Sequence, residues 1–428
     1  MTGATAAPVA FGAGLHSGEA PGSASPQLLY ECRPELAARP GIVSTVKGMG
    51  ETLECWVRYH LGVGFVRLFI YLDDPAEAES LAAFAGDERV VLTPVDDALR
   101  AAWESQLLWA KFGEHAEAEV QARQELNGEH AVGLSLREEH LVTWLVHIDA
   151  DELFSLPPGL GSVVDHFEEL TDEGLASFNY VNYEAVPERG AIGNFFLEAT
   201  LFKRSLAVLP QSFVEVGKPV PCRRASSSAA EAEMASPEVQ AELRRGIRWW
   251  QARLPHQQYF LGYENGKAAV AVVEGAVPLS VHEWRLPTAA LQRRGRHNIK
   301  LLDTRGAIQY YASPARILHY ISCGFEWWWR KYEVLGWFPD AWFGGQLPIP
   351  PCFHLVSRDH SVARDRAAAE AFYASTVVLS DAAERERQLE CGLLERILEP
   401  RRLLEPSAPD QPKRTSMDDV DDEDDEEV

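Results

Sequence analysis

Between residues 41 and 148, short apolar segments of strand length alternate with segments whose apolar residues recur at helical spacing. Strands are predicted at 41–46, 65–72, 89–95 and 142–148, and helices at 51–61, 81–84 and 99–127. Strands and helices in this alternation form right-handed crossovers onto a parallel sheet that is buried on both faces. We therefore predict an α/β fold with a mainly parallel central sheet flanked by helices.

The second half of the chain has a more mixed pattern. Further strands are predicted at 177–182, 199–203 and 267–273, and amphipathic helices between 361 and 398. Segment 225–239 is rich in Ala, Ser and Glu and is predicted to be a flexible insertion. The predicted organisation is a disordered head at 1–27, a main domain at 28–345 that contains the insertion, a helical C-terminal extension at 346–405 and a disordered acidic tail at 406–428.

The charge balance of the chain limits its partners. The 428 residues include 40 Lys and Arg against 64 Asp and Glu, which gives a formal net charge of −24. This excess argues against nucleic acid or an anionic membrane as a partner, because both need a basic surface. Nine of the ten residues from 418 to 427 are acidic. Because these charges repel one another, we interpret them as a solvated tail, with a docking arm for a basic partner as the alternative.

Cysteine usage and apolar runs bear on the compartment. The six cysteines are scattered without a CxxC pair, which argues against a zinc ribbon or a disulfide scaffold and leaves one or two isolated bridges open. The first 27 residues lack the basic start and apolar core of a secretory signal, and nowhere do 18 apolar residues run together. The chain is therefore expected to be soluble as written, without a transmembrane segment.

The sharpest motif is Asp149-Ala150-Asp151-Glu152, which directly follows the apolar segment 142–148. In open parallel sheets, ligands bind beyond the carboxyl ends of the strands. Side chains two residues apart at a strand end lie on the same side, so Asp149 and Asp151 are expected to converge. Clustered carboxylates are costly without a cation, and their oxygens suit Mg²⁺ or Mn²⁺, which bridge to phosphate oxygens. The alternative is an acidic loop whose carboxylates are solvated.

Leu53, Trp56 and His60 follow Lys47 by six, nine and thirteen residues. With this spacing the segment that begins at Lys47 resembles the opening block of glycosyltransferase family 92. The D-x-D-E-F metal motif of the family is similar to residues 149–154. Further similar blocks lie at 123–127, 182–188, 202–203, 266–267, 281–284, 318–320 and 329–331, so the resemblance spans roughly residues 41–332. Members of this family are nucleotide-sugar transferases of the GT-A fold.

The resemblance implies a metal-dependent glycosyltransferase. Such an enzyme would transfer a hexose from a nucleotide-sugar, in particular a UDP-sugar, to a glycan or another hydroxyl acceptor with inversion at the sugar carbon. It would hold Mn²⁺ or Mg²⁺ through Asp149 and Asp151, with His319 as a further ligand and His282 as the alternative to it. The resemblance also makes the Golgi and the secretory pathway an option for the compartment, which the sequence leaves open.

Residues of the similar blocks carry the predicted binding and catalytic roles. The residues predicted to contact the donor nucleotide or its diphosphate are Lys47, His60, Asp73, Arg123, Asp149, Lys267 and Lys331. An inverting transfer needs a carboxylate that removes the proton of the acceptor hydroxyl. Three residues are candidates for this base, namely Glu184, Glu188 and Asp340. Each of the three also has an ordinary interpretation as a surface acid.

Two departures from the family pattern keep a second interpretation open. The Asn-Glu pair of the family is Gly48-Met49 in this chain, and the Glu before Trp56 is Cys55. The chain is alternatively a catalytically inactive glycosyltransferase-like protein that binds a sugar or a nucleotide. A third interpretation is a structural α/β module with an acidic interaction tail.

The segment 325–343 is rich in tryptophan. Three adjacent tryptophans at 327–329 cannot all face one side of a helix, so at least one is expected to be exposed or to line a cleft. An exposed indole suits the apolar C–H face of an acceptor sugar. The alternative interpretation of the segment is core packing between helices.

Overall fold

The computed structural model describes residues 26–209, 236–254, 257–263, 265–297, 301–302, 308–309, 315–349 and 352–405. The predicted disordered tail at 406–428, residues 1–25 of the predicted head and residues 225–235 of the predicted insertion lie outside these ranges. Residues 236–239 of that insertion belong to a helix, because Ser236 caps a helix that begins at Pro237. The Ser236 hydroxyl accepts a hydrogen bond from the Val239 N–H in its first turn.

The described residues form strands throughout the chain. They are β1 (Pro40–Val46), β2 (Arg67–Leu72), β3 (Val90–Pro94), β4 (Trp144–His147), β5 (Glu152–Ser155), β6 (Ser177–Ala185), β7 (Leu201–Lys203), β8 (Asn265–Ala271), β9 (Val277–Ser280), β10 (Glu283–Arg285), β11 (Gly295–His297), β12 (Leu301–Leu302), β13 (Ile308–Gln309), β14 (Arg316–His319), β15 (Ala341–Trp342), β16 (Leu347–Pro348) and β17 (Leu394–Arg396). Strands were thus predicted correctly in all the segments named above, with ends that differ by a few residues.

Helices separate many of these strands. In the described residues they are α1 (Leu29–Cys32), α2 (Thr52–Val63), α3 (Asp97–Trp103), α4 (Trp109–Phe112), α5 (Val120–Ser135), α6 (Val163–Asp172), α7 (Phe195–Glu198), α8 (Pro237–Gln251), α9 (Ala289–Gln292), α10 (Phe325–Leu335), α11 (Cys352–Ala363), α12 (Arg366–Thr376), α13 (Ala382–Glu390) and α14 (Glu399–Leu404). Short 3₁₀ helices lie at Pro75–Phe84, Gly113–His115 and Leu206–Val208. Among the described residues, no helix combines the length and the apolarity needed to cross a bilayer.

The central sheet has the strand order β17-β7-β6-β8-β4-β1-β2-β3. Neighbouring strands from β4 to β3 pair in parallel, as the βαβ pattern predicts. Strand β8 lies between β4 and β6 and is antiparallel to both. The α/β class with a central sheet flanked by helices is confirmed. The sheet is mixed rather than mainly parallel beyond β4, because β8 enters between two strands that run in the same direction.

The helical region predicted over residues 99–127 is confirmed but is not continuous, because three helices and a 3₁₀ turn occupy it. The carboxylate of Glu129 accepts hydrogen bonds from the backbone N–H groups of Leu107 and Leu108, at 2.7 and 2.9 Å, between α3 and α4. The Trp103 indole donates to Asn127 on α5 at 3.1 Å. These side-chain contacts stabilise the break and fold α3 back against α5, where apolar spacing alone predicts a continuous helix.

The C-terminal region packs against the rest of the chain in two places. Helices α10 to α12 share a second apolar core, in which Trp328, Tyr332 and Tyr373 are buried. Strand β17 pairs with β7 and so adds an edge to the central sheet. The predicted extension at 346–405 is therefore largely helical and also contributes a strand. Within the tryptophan-rich segment, Trp337 is exposed, whereas its buried neighbours fill the second core.

A glycine on β8 tests the close pairing of this strand with β6, and a glycine on α5 serves as its control. A Cβ atom at Gly266 would lie 1.8 Å from the Tyr180 carbonyl oxygen, whereas a Cβ atom at Gly133 on α5 would meet nothing within 4 Å. We expect Gly266→Ala to lower the free energy of unfolding by at least about 2 kcal/mol, because the two strands must separate. The control Gly133→Ala is expected to raise it by about 0.5–1 kcal/mol, because alanine favours a helix. Urea unfolding measures both, and an unchanged Gly266→Ala variant would contradict the strand pairing.

Candidate functional site

The loops that follow three parallel strands converge at one edge of the sheet. Lys47 follows β1, Asp73 follows β2, and Asp149 and Asp151 follow β4. Because these strands are neighbours and parallel, their carboxyl ends lie side by side. This edge is where ligands bind in open α/β sheets.

A cavity of about 600 Å³ opens at this edge. The charged and polar residues that line it include Lys47, Gln124, Glu125, Asp149, Asp151, Glu152, His319 and Lys331. The apolar residues that line it include Phe112, Leu335, Phe338, Trp342 and Phe343. The volume is in the range of small-molecule sites in proteins. The cavity therefore offers a charged part and an apolar part to one ligand or to two.

Asp149 is held by two neighbours. Its Oδ2 accepts a hydrogen bond from the Lys267 ammonium group at 2.7 Å, and its Oδ1 accepts one from the Gln124 amide at 2.7 Å. Burial alone would raise the pKa of Asp149, but the positive charge of Lys267 outweighs it and holds the pKa well below the usual range. The Asp149 carboxylate is therefore ionised and fixed in direction.

Asp151 has a second lysine as its partner. Its Oδ2 accepts a hydrogen bond from the Lys331 ammonium group at 2.6 Å and lies 3.8 Å from Nε2 of His319. Burial opposes ionisation of Asp151, but the positive charge of Lys331 outweighs it and lowers the pKa of Asp151. The His319 pKa is itself lowered, chiefly by burial. Asp151 is therefore also ionised, beside a histidine that burial keeps neutral at pH 7.

Glu152 lies beneath these two carboxylates. Its Oε2 accepts the Asp149 N–H at 3.0 Å and lies 3.5 Å from Lys267, and its Oε1 lies 3.8 Å from Nδ1 of His319. Burial raises the pKa of Glu152 to about 8, and the neighbouring Asp149 and Asp151 charges add to the rise against the opposing effect of Lys267. Burial thus favours the protonated form of Glu152.

The predicted metal ligands do not fit a divalent cation as they are arranged. In the described part of the chain, no group of three or more His, Cys, Asp or Glu side chains is placed to hold a metal ion. Asp151 and His319 are adjacent, but each of the two aspartates already contacts a lysine ammonium group. Binding of Mn²⁺ or Mg²⁺ by Asp149, Asp151 and His319 therefore stays a prediction that the geometry does not support.

The three carboxylates predicted as the base lie elsewhere. Glu184 is buried, pairs with Lys203 and accepts the N–H groups of Leu261 and Gly262 at 3.0 and 2.8 Å. Glu188 pairs with two arginines, Arg385 and Arg396. Asp340 is largely exposed and pairs with Arg358. None of these three is among the described residues that line the cavity. Spacing alone could not separate a site carboxylate from one that fixes a loop.

Of the residues predicted to bind the donor, Lys47 and Lys331 line the cavity together with Asp149. The side chain of Lys267 is completely buried beneath Asp149. Asp73 is bound by Arg123 at 2.7 Å, and Arg123 also donates to the Ala116 carbonyl at 2.8 Å. This buried pair supports the loop that follows β2 and does not face the cavity.

His60 is a core residue rather than a donor ligand. Its Nδ1 donates to the Trp56 carbonyl at 3.0 Å, and its Nε2 accepts the Phe154 N–H at 3.2 Å. This assignment of the ring nitrogens fixes the neutral form, and burial lowers the His60 pKa to about 3. His60 therefore ties α2 to β5, next to the carboxylate motif. The matched spacing from Lys47 located a structural contact and not a binding residue.

Comparison with curated proteins finds two relatives in Arabidopsis thaliana, both described as glycosyltransferase-like. One is 25% identical over 296 residues, which are 66% of this chain and 56% of the relative. The other is 23% identical over 376 residues, which are 83% of this chain and 61% of the relative. The aligned region thus spans somewhat more than half the length of each relative. No protein-family model matches the chain.

The chain is similar to glycosyltransferase-like proteins. This supports a glycosyltransferase in general terms, whereas membership of family 92 stays a prediction. Among solved structures, the apo form of mouse xyloside xylosyltransferase 1 matches 36% of this chain and 54% of its own, with 12% identity and a TM-score of 0.22.

Sequence reasoning missed two residues of the site. Gln124 orients Asp149, and Glu125 lines the cavity from the next position of α5. Burial raises the pKa of Glu125 to about 8, and its Oε2 has no hydrogen-bond partner among the described residues. Both lie in the similar block at 123–127, which therefore held a signal for the site. The donor-binding role in this block was predicted for Arg123, but the Arg123 side chain forms an ion pair with Asp73 instead.

The assignment of Glu184 as a structural residue can be tested against Glu188. We expect Glu184→Gln to lower the free energy of unfolding by about 3 kcal/mol or more, because the buried Lys203 loses its counter-charge. The control Glu188→Gln removes a partly exposed ion pair and is expected to change it by less than about 1 kcal/mol. Urea unfolding measures both. A Glu184→Gln variant of unchanged stability that has lost sugar transfer would restore Glu184 as the base.

Proposed function

We propose that this chain is a glycosyltransferase that uses a nucleoside diphosphate sugar, with a UDP-hexose as the donor and a carbohydrate hydroxyl as the acceptor. The observation that carries the proposal is the cavity at the carboxyl ends of β1, β2 and β4, where Asp149 and Asp151 meet lysine side chains. The similarity to glycosyltransferase-like proteins supports the same reaction class.

The lysines that line the cavity are suited to bind the diphosphate of the donor. Lys331 and Lys47 both line the cavity, on α10 and at the end of β1. Ammonium groups bind phosphate oxygens by charge-assisted hydrogen bonds. Transfer breaks the bond between the sugar carbon and the diphosphate oxygen, and the electron pair stays on the diphosphate. Positive groups fixed beside this oxygen lower the barrier, because they stabilise the charge that develops on it.

The aromatic residues that line the cavity are suited to pack against a sugar ring. Phe338 and Trp342 stack at 5.3 Å between ring centroids, and Phe112 and Phe343 lie 4.9 Å apart. Aromatic faces of this kind pack against the C–H faces of sugars. Trp342 therefore supports the interpretation of the tryptophan-rich segment as an acceptor platform. We infer that the acceptor hydroxyl attacks the sugar carbon from the side opposite the diphosphate, which gives inversion. Its proton passes to a carboxylate of the cavity, for which Glu125 is the candidate, since its Oε2 has no hydrogen-bond partner among the described residues.

A second candidate function is binding of a nucleotide or sugar without catalysis. It is favoured by Gly48 and Met49, which line the cavity where the related family has Asn and Glu. A Cβ atom at Gly48 would lie 3.0 Å from Val334 on α10, so the loop after β1 packs closely on that helix. This candidate predicts saturable binding of UDP with no product. A Golgi location and a basic partner for the acidic tail stay predictions.

The proposal is tested by release of UDP from a panel of UDP-sugars in the presence of carbohydrate acceptors. We expect Asp151→Asn to lower turnover by about 100-fold, because Lys331 loses the carboxylate that directs it at the diphosphate. The control Asp340→Asn, on an exposed carboxylate outside the cavity, is expected to leave turnover within about twofold.

Two results would count against the proposal. Full turnover by Asp151→Asn would remove the aspartate pair from the mechanism. Binding of UDP without any transfer across the panel would favour the second candidate function.

A further inference from the structure

Both aspartates of the predicted metal motif form ion pairs with lysine side chains. We propose that this site binds a nucleoside diphosphate without a divalent cation, and that the Lys331 ammonium group takes the place of the metal beside Asp151. The inference deepens the proposed function and rests on it. It concerns which group supplies the positive charge beside the diphosphate, a question that neither the similarity to the relatives nor the sequence motif answers.

Each of the two aspartates has a positive partner before any ion binds. Asp149 lies 2.7 Å from the Lys267 ammonium group, and Asp151 lies 2.6 Å from the Lys331 ammonium group. Two negative groups thus face two positive groups. A metal site of this class needs carboxylates whose charge the protein leaves uncompensated. These aspartates lack that excess.

The carboxylate oxygens also have few free positions. Both oxygens of Asp149 accept short hydrogen bonds, one from Lys267 and one from Gln124. A cation bound to Oδ2 of Asp151 at about 2.1 Å would lie within about 5 Å of the Lys331 nitrogen, which contacts the same oxygen. A divalent cation and an ammonium group at this separation repel each other strongly inside a protein. Binding of the metal would therefore require Lys331 to move away.

The two lysines differ in their access to a ligand. The side chain of Lys267 is completely buried, so it neutralises Asp149 from below. The side chain of Lys331 is 18% exposed and lines the cavity. An ammonium group has three N–H donors, and those of Lys331 reach Asp151 at 2.6 Å and, in a long contact, the Ile321 carbonyl at 3.5 Å. The third donor is therefore the one to which a diphosphate oxygen can bind.

Lys331 is held on a rigid element. It lies on α10 between residues of the second core, where Trp328 and Tyr332 are both 1% exposed. The Tyr332 hydroxyl forms a hydrogen bond with Nδ1 of His354 at 2.6 Å, and the Trp328 indole donates to Ser357 at 3.1 Å. These contacts fix α10 against α11. The ammonium group is therefore positioned before a ligand binds, as a bound metal ion would be.

Titration calorimetry of the full chain with UDP tests the inference without any mutation. We expect the same dissociation constant, within about threefold, in buffer with EDTA and in buffer with MnCl₂. Binding that is more than about tenfold tighter with Mn²⁺ would overturn the inference and leave the proposed function standing. Absence of UDP binding in both buffers would overturn the proposed function as well.

A variant pair locates the effect at Lys331. In EDTA we expect Lys331→Met to weaken UDP binding by at least about tenfold, because a charge-assisted hydrogen bond is lost. Lys331→Arg keeps the charge and is expected to recover most of the affinity. The control Arg330→Met changes the exposed neighbour on α10 and is expected to keep the wild-type affinity within about twofold. Unchanged binding by Lys331→Met, with its thermal unfolding intact, would contradict the role given to this lysine.

Discussion

The structure of the site depends on one buried cation. The Lys267 ammonium group has no exposed surface and lies between Asp149 and Glu152, at 2.7 and 3.5 Å. A buried ammonium group is tolerated only with a counter-charge and hydrogen bonds, so it requires Asp149 to point inward at this position. Lys267 lies on β8, which pairs with β4 in the antiparallel direction. The pairing of these two strands therefore sets the direction of the carboxylate motif that follows β4.

Because the carboxylate motif after β4 is fixed in position, the central sheet and the α10 region can together complete the cavity. Strand ends and α5 supply most of the charged lining, whereas Lys331 and most of the apolar lining come from α10 and the segment that follows it. Asp151 contacts Lys331 across this boundary. The contact joins the central sheet to the second apolar core, and the cavity lies where they meet. A ligand with an anionic part and an apolar face would touch both.

The sequence predicts the parts of the site that depend on local pattern. Alternating apolar segments place Asp149 and Asp151 beyond a strand that belongs to a parallel sheet, and the structure has them there. The roles of Glu184 and His60 depend on partners that are far away in sequence, such as the Gly262 and Phe154 amides. Spacing along the chain carries no information about such partners, so the sequence could not predict these contacts. For the same reason the lysine partners of the aspartates became visible only in the folded chain.

The most direct test of the account is a crystal structure of the protein grown with UDP and MnCl₂, with anomalous diffraction measured at the manganese edge. We expect diphosphate oxygens within hydrogen-bonding distance of the Lys331 ammonium group, with Asp149 still bound to Lys267 and without an anomalous peak at either aspartate. A manganese peak between Asp151 and the diphosphate would contradict the role of the lysine. A nucleotide bound outside this cavity would contradict both the proposed function and the role of the lysine.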